Sequence, residues 1–279
     1  MTHVSESMNT TLDVQINETL TISAALALFA VFGVIAVRRQ RARTRRFKHV
    51  GELLGGSVPQ SVVMMIVGPS GSGKSLLLQN MLADSIEAGK PCVYMSNSEL
   101  PSKIREQLTK IGVKVRASED QNRLRFIDAY SGETGGTSGE RHFVSSPRDL
   151  TALGIQLTSC IEALGGDANV FFDSVTPIAV SDSAERGFDF VRYYSARTTK
   201  SGGTFAYAAA TTLEPALLGR FEEASDCVLQ VEKVQAAGKI RGRLLVKKDR
   251  GLEHERGWVG FKITPKGRME FVSLPAEKG

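Results

Sequence analysis

The 279-residue chain has few cysteines and few aromatic residues, and its excess of positive charge is confined to one short segment. Its three cysteines are odd in number, far apart and set in apolar sequence, which excludes a disulfide framework and a zinc-binding pattern. They are predicted to pack as small apolar side chains in a reducing compartment. Hydrophobic residues make up 42% of the chain and charged residues 23%, as expected for a globular protein with a substantial core.

The net charge of +5 reflects an uneven distribution rather than a basic domain. Residues 1–37 contain three acids and no lysine or arginine, whereas residues 38–48 contain seven cations and no acid. A net charge of only about +1 remains for residues 49–279. The bulk charge of this larger part therefore gives no support to nucleic-acid binding.

Residues 20–37, LTISAALALFAVFGVIAV, contain no charge and no proline. As a helix they would span roughly 27 Å, close to the hydrocarbon thickness of a bilayer. A buried core helix and a cleaved signal peptide are the other interpretations, but a signal peptide carries its cations before the apolar stretch, and here they follow it.

This pattern predicts a short extracytoplasmic N-terminus at 1–19, a transmembrane helix at 20–37 and a basic juxtamembrane linker at 38–48. The linker would also contact anionic lipid headgroups. Because positive residues stay on the cytoplasmic side, residues 49–279 are expected in the cytoplasm, attached to the cell membrane by a single span.

The sequence GPSGSGKS at residues 68–75 lies between an apolar strand pattern at 62–67 and an apolar helix pattern. It matches G-x-x-x-x-G-K-[ST], the P-loop, whose backbone amides cradle phosphate oxygens at a helix N-terminus. Lys74 is predicted to reach the β- and γ-phosphates of ATP, and the Ser75 hydroxyl to ligate Mg²⁺. The predicted cofactor-binding residues are Gly68, Pro69, Ser70, Gly71, Ser72, Gly73, Lys74, Ser75 and Leu76.

A second motif predicts a further magnesium ligand about a hundred residues downstream. NVFFDS, residues 169–174, has the pattern of an apolar strand that ends in an aspartate, Asp173. An aspartate in this position of a P-loop protein holds Mg²⁺, here through a water molecule. An aspartate that only ends a strand or starts a turn is the alternative interpretation.

Strand and helix patterns alternate after the P-loop, which predicts an α/β fold with a mostly parallel sheet and helices on both faces. CVLQVEK with RGRLLVKK, and FKIT with MEFV, predict antiparallel hairpins at the C-terminal end. Residues 131–147 are rich in Gly, Ser and Thr and predict a mobile loop. With no repeat and no second P-loop, residues 49–279 are predicted to form one domain.

Four motifs, in this order, resemble those of RecA-superfamily P-loop ATPases of the KaiC-like branch, over about Val50 to Val272. ELLGGSVPQSVVMMIVGPSGSGKS resembles the opening of that family. VYMSNSELPSKI resembles its strand followed by two glutamates, and FFDSVTP its magnesium strand. LLVKKDRGLEH resembles its K-x-R-G-x-x-H segment.

The resemblance implies roles that spacing alone does not. Glu99 matches the second glutamate of the pair and would activate water, although a solvated residue at a helix start is the other interpretation. Ser98 stands in place of the first glutamate, which leaves the rate of hydrolysis open. Lys248 and Arg250 match cationic finger residues that reach the γ-phosphate on a neighbouring subunit, so a homo-oligomeric ring, with a hexamer as the expected form, is implied.

Three functions follow as hypotheses. The first is a membrane-anchored, KaiC-like Mg-ATP hydrolase that regulates or assembles an unknown membrane or signalling partner. The second is a RecA-like DNA-binding ATPase that uses residues 131–147. The only cations there and just beyond are Arg141 and Arg148, and Glu133 and Glu140 offset their charge, so binding would be weak and salt-dependent. The third is a nucleotide-gated scaffold with little turnover.

Overall fold

The computed structural model describes residues 45–180, 184–236, 239–251 and 254–274. They belong to one compact unit that begins at Arg45. The strands are β1 Arg46–Phe47, β2 Val63–Gly68, β3 Cys92–Ser96, β4 Leu124–Asp128, β5 Asn169–Asp173, β6 Phe205–Ala210, β7 Cys227–Ala236, β8 Lys239–Asp249, β9 Trp258–Ile263 and β10 Met269–Ser273. The helices are α1 Lys74–Glu87, α2 Pro101–Lys110, α3 Val115–Asp120, α4 Leu150–Ala163, α5 Thr176–Ala179, α6 Ala184–Lys200 and α7 Pro215–Ala224, and a 3₁₀ turn, Val50–Leu54, precedes β2.

The ten strands form a single sheet in the order β1-β10-β9-β8-β7-β2-β6-β5-β3-β4. Neighbours from β7 to β4 in this order run parallel, since helical crossovers connect them. The remaining neighbours are antiparallel. The prediction of an α/β fold with a mostly parallel sheet and C-terminal antiparallel hairpins is confirmed.

Helices cover both faces of the sheet, as the side chains of β2 show. Met64 and Ile66 pack in one core cluster with side chains of α1, α2 and α3. Met65 and Val67 pack in the other, with side chains of α4 to α7. Because successive strand residues point to opposite faces, a continuous apolar run of this kind is typical of a central parallel strand.

The sequence patterns do not predict α3, α5, α7 or β1. Helices α3 and α5 have only six and four residues, too few to show a helical period. Strand β1 lies inside the basic run 38–48, where Phe47 is buried and pairs with Phe271 of β10. A two-residue strand has no pattern of its own, and its position depends on a partner more than two hundred residues away.

The segment 131–147 is irregular but anchored by buried polar contacts. Asp128, at the end of β4, accepts hydrogen bonds from the hydroxyls of Ser131 and Ser138, each at 2.6 Å. Burial alone would raise the pKa of Asp128, but these bonds and two amide bonds outweigh it and lower that pKa. Arg105 of α2 pairs with Glu140 of the same segment. The loop composition of residues 131–147 does not reveal this buried acceptor.

The predicted single-pass localisation in the cell membrane is corrected by the structure. In the part of the chain described above, no helix is both long and apolar enough to cross a bilayer. The longest of these helices, α6, has 17 residues and carries charged side chains at both ends, whereas a membrane span needs about 20 apolar residues. The segment on which the prediction rested, residues 20–37, lies outside the described residues.

Candidate nucleotide-binding site

The loop between β2 and α1 has the curled backbone that a phosphate-binding loop requires. Gly73 precedes α1 with a φ of 108°, a conformation that side chains larger than glycine rarely adopt. A Cβ at Gly68 would lie 2.0 Å from the carbonyl oxygen of Val231, so only glycine fits where β2 ends beside β7. The first amides of α1 have no intrahelical acceptor and carry the positive end of the helix dipole. This arrangement suits an anion.

Lys74 and Ser72 are the polar side chains of the loop whose surroundings bear on phosphate binding. The Lys74 ammonium donates hydrogen bonds to the carbonyl oxygens of Gly68 and Pro69, at 2.8 Å each. Burial lowers the pKa of Lys74, and the nearby charge of Asp173 opposes that shift. The hydroxyl of Ser72 is buried without a hydrogen-bond partner among the described residues, as expected where a polar ligand completes the site.

Asp173 ends β5 and is only 3% exposed. Its Oδ2 accepts hydrogen bonds from the hydroxyls of Ser98, at 2.9 Å, and Tyr94, at 3.2 Å. Burial raises the pKa of Asp173, while hydrogen bonds from Ser75, Ser98 and Tyr94 and the charge of Lys74 lower it to a smaller extent. The structure thus brings the two residues predicted to bind magnesium, Ser75 and Asp173, into contact.

This donor set fits Mg²⁺ in the company of a phosphate. Among the described residues, no group of three or more His, Cys, Asp or Glu is placed to hold a metal ion alone. Mg²⁺ usually takes one or two protein oxygens and completes its shell with waters and substrate phosphates. The Ser75 hydroxyl and the Asp173 carboxylate beside the loop match that requirement.

Glu99 lies in the same cleft as Lys74. Its backbone is fixed by the Ser96 hydroxyl, which donates to the Glu99 carbonyl at 2.8 Å and accepts from its amide at 3.2 Å. Its Oε2 accepts a hydrogen bond from Gln107 of α2, at 3.1 Å. The cleft has a volume of about 330 Å³ and is lined by Gly71, Gly73, Lys74, Ser75, Leu76, Gln79, Glu99 and Gln107.

The predicted finger residues lie at the opposite edge of the sheet. The Arg250 amide donates to the carbonyl of Asp226, whose own amide donates to Val63, the first residue of β2. The loop follows Gly68 at the other end of β2, about 16 Å further along the strand direction. The structure therefore does not bring Arg250 to the P-loop of its own chain.

Lys248 and Arg250 both contact the C-terminal end of α7. The Lys248 ammonium donates to three carbonyl oxygens, of Glu222, Glu223 and Ser225, at 2.5 to 3.0 Å. The Arg250 guanidinium donates to the Glu223 carbonyl at 3.1 Å, and its side chain is 58% exposed. Lys248 therefore uses its donors within the chain, whereas most of Arg250 is accessible.

Comparison with known proteins agrees with this geometry. A family model described as "ATPase: KaiC" matches residues 47–272, which include the loop, Glu99, Asp173 and Arg250. The chain belongs to the KaiC family of ATPases. The expectation of a KaiC-like, RecA-like P-loop fold is thereby confirmed.

Relatives of this KaiC-family chain differ in what their names state. A UPF0273 protein of Pyrococcus furiosus is 23% identical over 231 residues, covering 82% of this chain and 93% of that protein. The circadian clock protein KaiC3 of Synechocystis is 27% identical over 229 residues, covering 80% of this chain but 44% of KaiC3. A crystal structure of a KaiC-like protein of Pyrococcus horikoshii has a TM-score of 0.63 at 16% identity and covers 83% of this chain and all of that one. The last comparison concerns the fold alone.

Three residues near the KaiC-family P-loop were missed from the sequence. Tyr94 bonds Asp173, Gln107 bonds Glu99, and the Phe261 ring lies 3.6 Å from where a Cβ of Gly73 would be. The phenol in the otherwise apolar strand β3 was a detectable signal, because a buried tyrosine hydroxyl usually has a partner. Gln107 and Phe261 gave no signal, since nothing local indicates what they contact.

Proposed function

We propose that the chain binds Mg-ATP in the P-loop cleft and hydrolyses it. The observation that supports this most strongly is the meeting of four polar side chains at one edge of the sheet. A lysine, a hydroxyl, a buried carboxylate and a second carboxylate come from α1, from the end of β5 and from the turn after β3. Phosphoryl transfer depends on positioning and charge stabilisation, and these are the groups it requires.

Each group has a defined task in this proposal. The loop amides and Lys74 bind the phosphates, and Lys74 exchanges its two carbonyl acceptors for phosphate oxygens. Ser75 and Asp173 would hold Mg²⁺, which would neutralise charge on the phosphates. Glu99 orients the attacking water and accepts its proton, while Gln107 holds the carboxylate in the cleft.

We further propose that Arg250, with Lys248 beside it, acts on the nucleotide of a neighbouring copy. Both lie at the edge of the sheet away from their own P-loop, while the Arg250 side chain is mostly exposed. Head-to-tail association would bring this edge of one copy to the cleft of the next, and repetition closes a ring. Nucleotide would then be shared by two subunits of a homo-oligomer.

The assay that tests the hydrolysis proposal is phosphate release by the purified full-length chain with Mg-ATP. We expect Glu99→Gln to retain nucleotide binding and to lower phosphate release about 100-fold or more, because it removes a general base. Glu106→Gln is the matched control, since Glu106 is exposed on α2, the helix that follows Glu99. Equal rates for Glu99→Gln and wild type would contradict the role of Glu99. Tight binding without phosphate release by the wild type would favour the nucleotide-gated scaffold.

A further inference from the structure

The turns that follow β3 and β5 are joined by side chains as well as by the sheet. The amide of Asn97 donates to the carbonyl of Asp173 at 2.9 Å. The Asn97 side chain also donates to the Ser174 carbonyl at 2.8 Å and accepts from the Ser174 amide at 2.7 Å. These three bonds continue the pairing of β3 with β5 by one residue past the end of each strand. The backbone of both turns therefore fixes the position of Ser98 relative to Asp173.

Where these two turns meet, one oxygen of Asp173 accepts hydrogen bonds from two hydroxyl groups, one in β3 and one in the turn that follows it. The Ser98 hydroxyl is 2.9 Å from Oδ2 and the wholly buried Tyr94 hydroxyl is 3.2 Å from the same atom. A buried carboxylate needs such donors, because burial deprives it of water. Hydrogen bonds to a charged acceptor are stronger than those between neutral groups and restrict its orientation.

The Ser98 hydroxyl gives the Asp173 carboxylate a neutral donor at this position. A carboxylate at the position of the Ser98 hydroxyl would repel that of Asp173 and raise its pKa unless a cation lay between them. Serine instead donates a proton to the carboxylate and adds no charge. In this structure position 98 therefore acts on Asp173 as a hydrogen-bond donor.

We infer that Ser98, assisted by Tyr94, is a positioning residue for Mg²⁺ that acts through Asp173. The two hydroxyls hold one carboxylate oxygen in a fixed orientation, so that Asp173 meets the ion and its water without reorganising. This inference rests on the proposed function, because it concerns the same site. It assigns Ser98 a part in metal affinity and none in activating water.

The test measures how nucleotide binding by the full-length chain depends on magnesium. Binding of a fluorescent ADP analogue is followed first in EDTA and then during titration with Mg²⁺. We expect Ser98→Ala to raise the half-saturating Mg²⁺ concentration about three- to tenfold, the loss expected for a typical hydrogen bond. Binding in EDTA should stay at the wild-type level, because loop amides and Lys74 hold the phosphates. Ser102→Ala, at an exposed serine of α2, is the matched control.

Three further variants separate positioning from a general structural effect. Ser98→Thr keeps the hydroxyl and should restore the wild-type midpoint. Tyr94→Phe removes only the longer of the two bonds and should shift the midpoint in the same direction by about twofold. Ser98→Glu introduces the acid and should not speed phosphate release, because the inference gives position 98 no part in activating water.

The outcomes distinguish this inference from the function on which it rests. If the wild type binds the analogue with a clear magnesium dependence and Ser98→Ala has the same midpoint, the inference is wrong and the proposed function stands. Faster phosphate release by Ser98→Glu at an unchanged midpoint would likewise overturn it, because position 98 would then be a missing catalytic acid. If the wild type does not bind the analogue at any Mg²⁺ concentration, the proposed function itself fails.

Discussion

Replacing Lys74 by alanine is expected to lower ATP turnover by at least about 100-fold and to weaken nucleotide binding, because it removes a preorganised positive charge from the phosphate site. The Lys74 ammonium lies inside the loop, bonded to two carbonyl oxygens, and Asp173 supplies a nearby negative charge. Binding of a fluorescent ATP analogue and phosphate release, measured on the same preparation of the full chain, give the two effects separately.

The control for this variant is Lys110→Ala. Lys110 is exposed in the last turn of α2 and does not line the cleft. Lys110→Ala makes the same change in charge and side-chain length outside the cleft. Its turnover should therefore equal that of the wild type. Wild-type turnover by Lys74→Ala would contradict the assignment of the cleft as the site of phosphoryl transfer.

Arg250→Ala is expected to bind nucleotide within about twofold of the wild type but to release phosphate about 1,000-fold more slowly, the lower end of what an arginine finger contributes. Binding is retained because Arg250 lies away from the P-loop of its own chain. Arg116→Ala, at an exposed arginine of α3, is the matched control and should turn over ATP normally.

Mixing two inactive variants tests whether Arg250 acts on a neighbouring copy. Lys74→Ala retains the arginine but has a defective loop, and Arg250→Ala has the reverse. Random co-assembly in equal amounts should place an intact loop beside an intact arginine at about a quarter of the interfaces of a head-to-tail ring. We therefore expect the mixture to recover about that fraction of wild-type turnover. Full activity of Arg250→Ala alone, or no recovery in the mixture, would count against an interface site.

Lys248 differs from Arg250 in a way that the family motif does not reveal. Its ammonium has three donors, and three backbone carbonyls at the end of α7 accept from it. Contact with a neighbouring phosphate would require some of these bonds to be exchanged. In the absence of that exchange, Lys248 stabilises the helix end that Arg250 also contacts, through the Glu223 carbonyl. Lys248 and Arg250, two positions apart in the motif, thus have different surroundings.

The parts of the fold that sequence could predict are those encoded within one contiguous stretch. The strand, glycine loop and helix from Val63 to Glu87 follow from a local motif and from apolar runs. The two C-terminal hairpins follow from alternating strands separated by short turns, and β7 with β8 and β9 with β10 pair as expected. Short elements such as α5 and β1 carry too few residues to form a pattern.

The parts of the site that sequence could not predict depend on strand order. Tyr94 and Asp173 are 79 positions apart and meet because β3 lies beside β5 in the sheet, whereas β4 lies on the far side of β3. Phe261 of β9 lies near Gly73 although β8 and β7 separate β9 from β2 in the sheet. A motif identifies each of Lys74, Glu99 and Asp173 separately, but their shared cleft is a property of the folded chain.

The proposed function depends most on the binding of a triphosphate in the loop between β2 and α1. Calorimetric titration of the full-length chain with a non-hydrolysable ATP analogue and Mg²⁺ tests this directly, since it requires neither turnover nor a known partner. We predict saturable binding of about one nucleotide per chain, lost in Lys74→Ala and retained in Lys110→Ala. Absence of binding by the wild type at millimolar nucleotide, or equal binding by Lys74→Ala, would contradict the account.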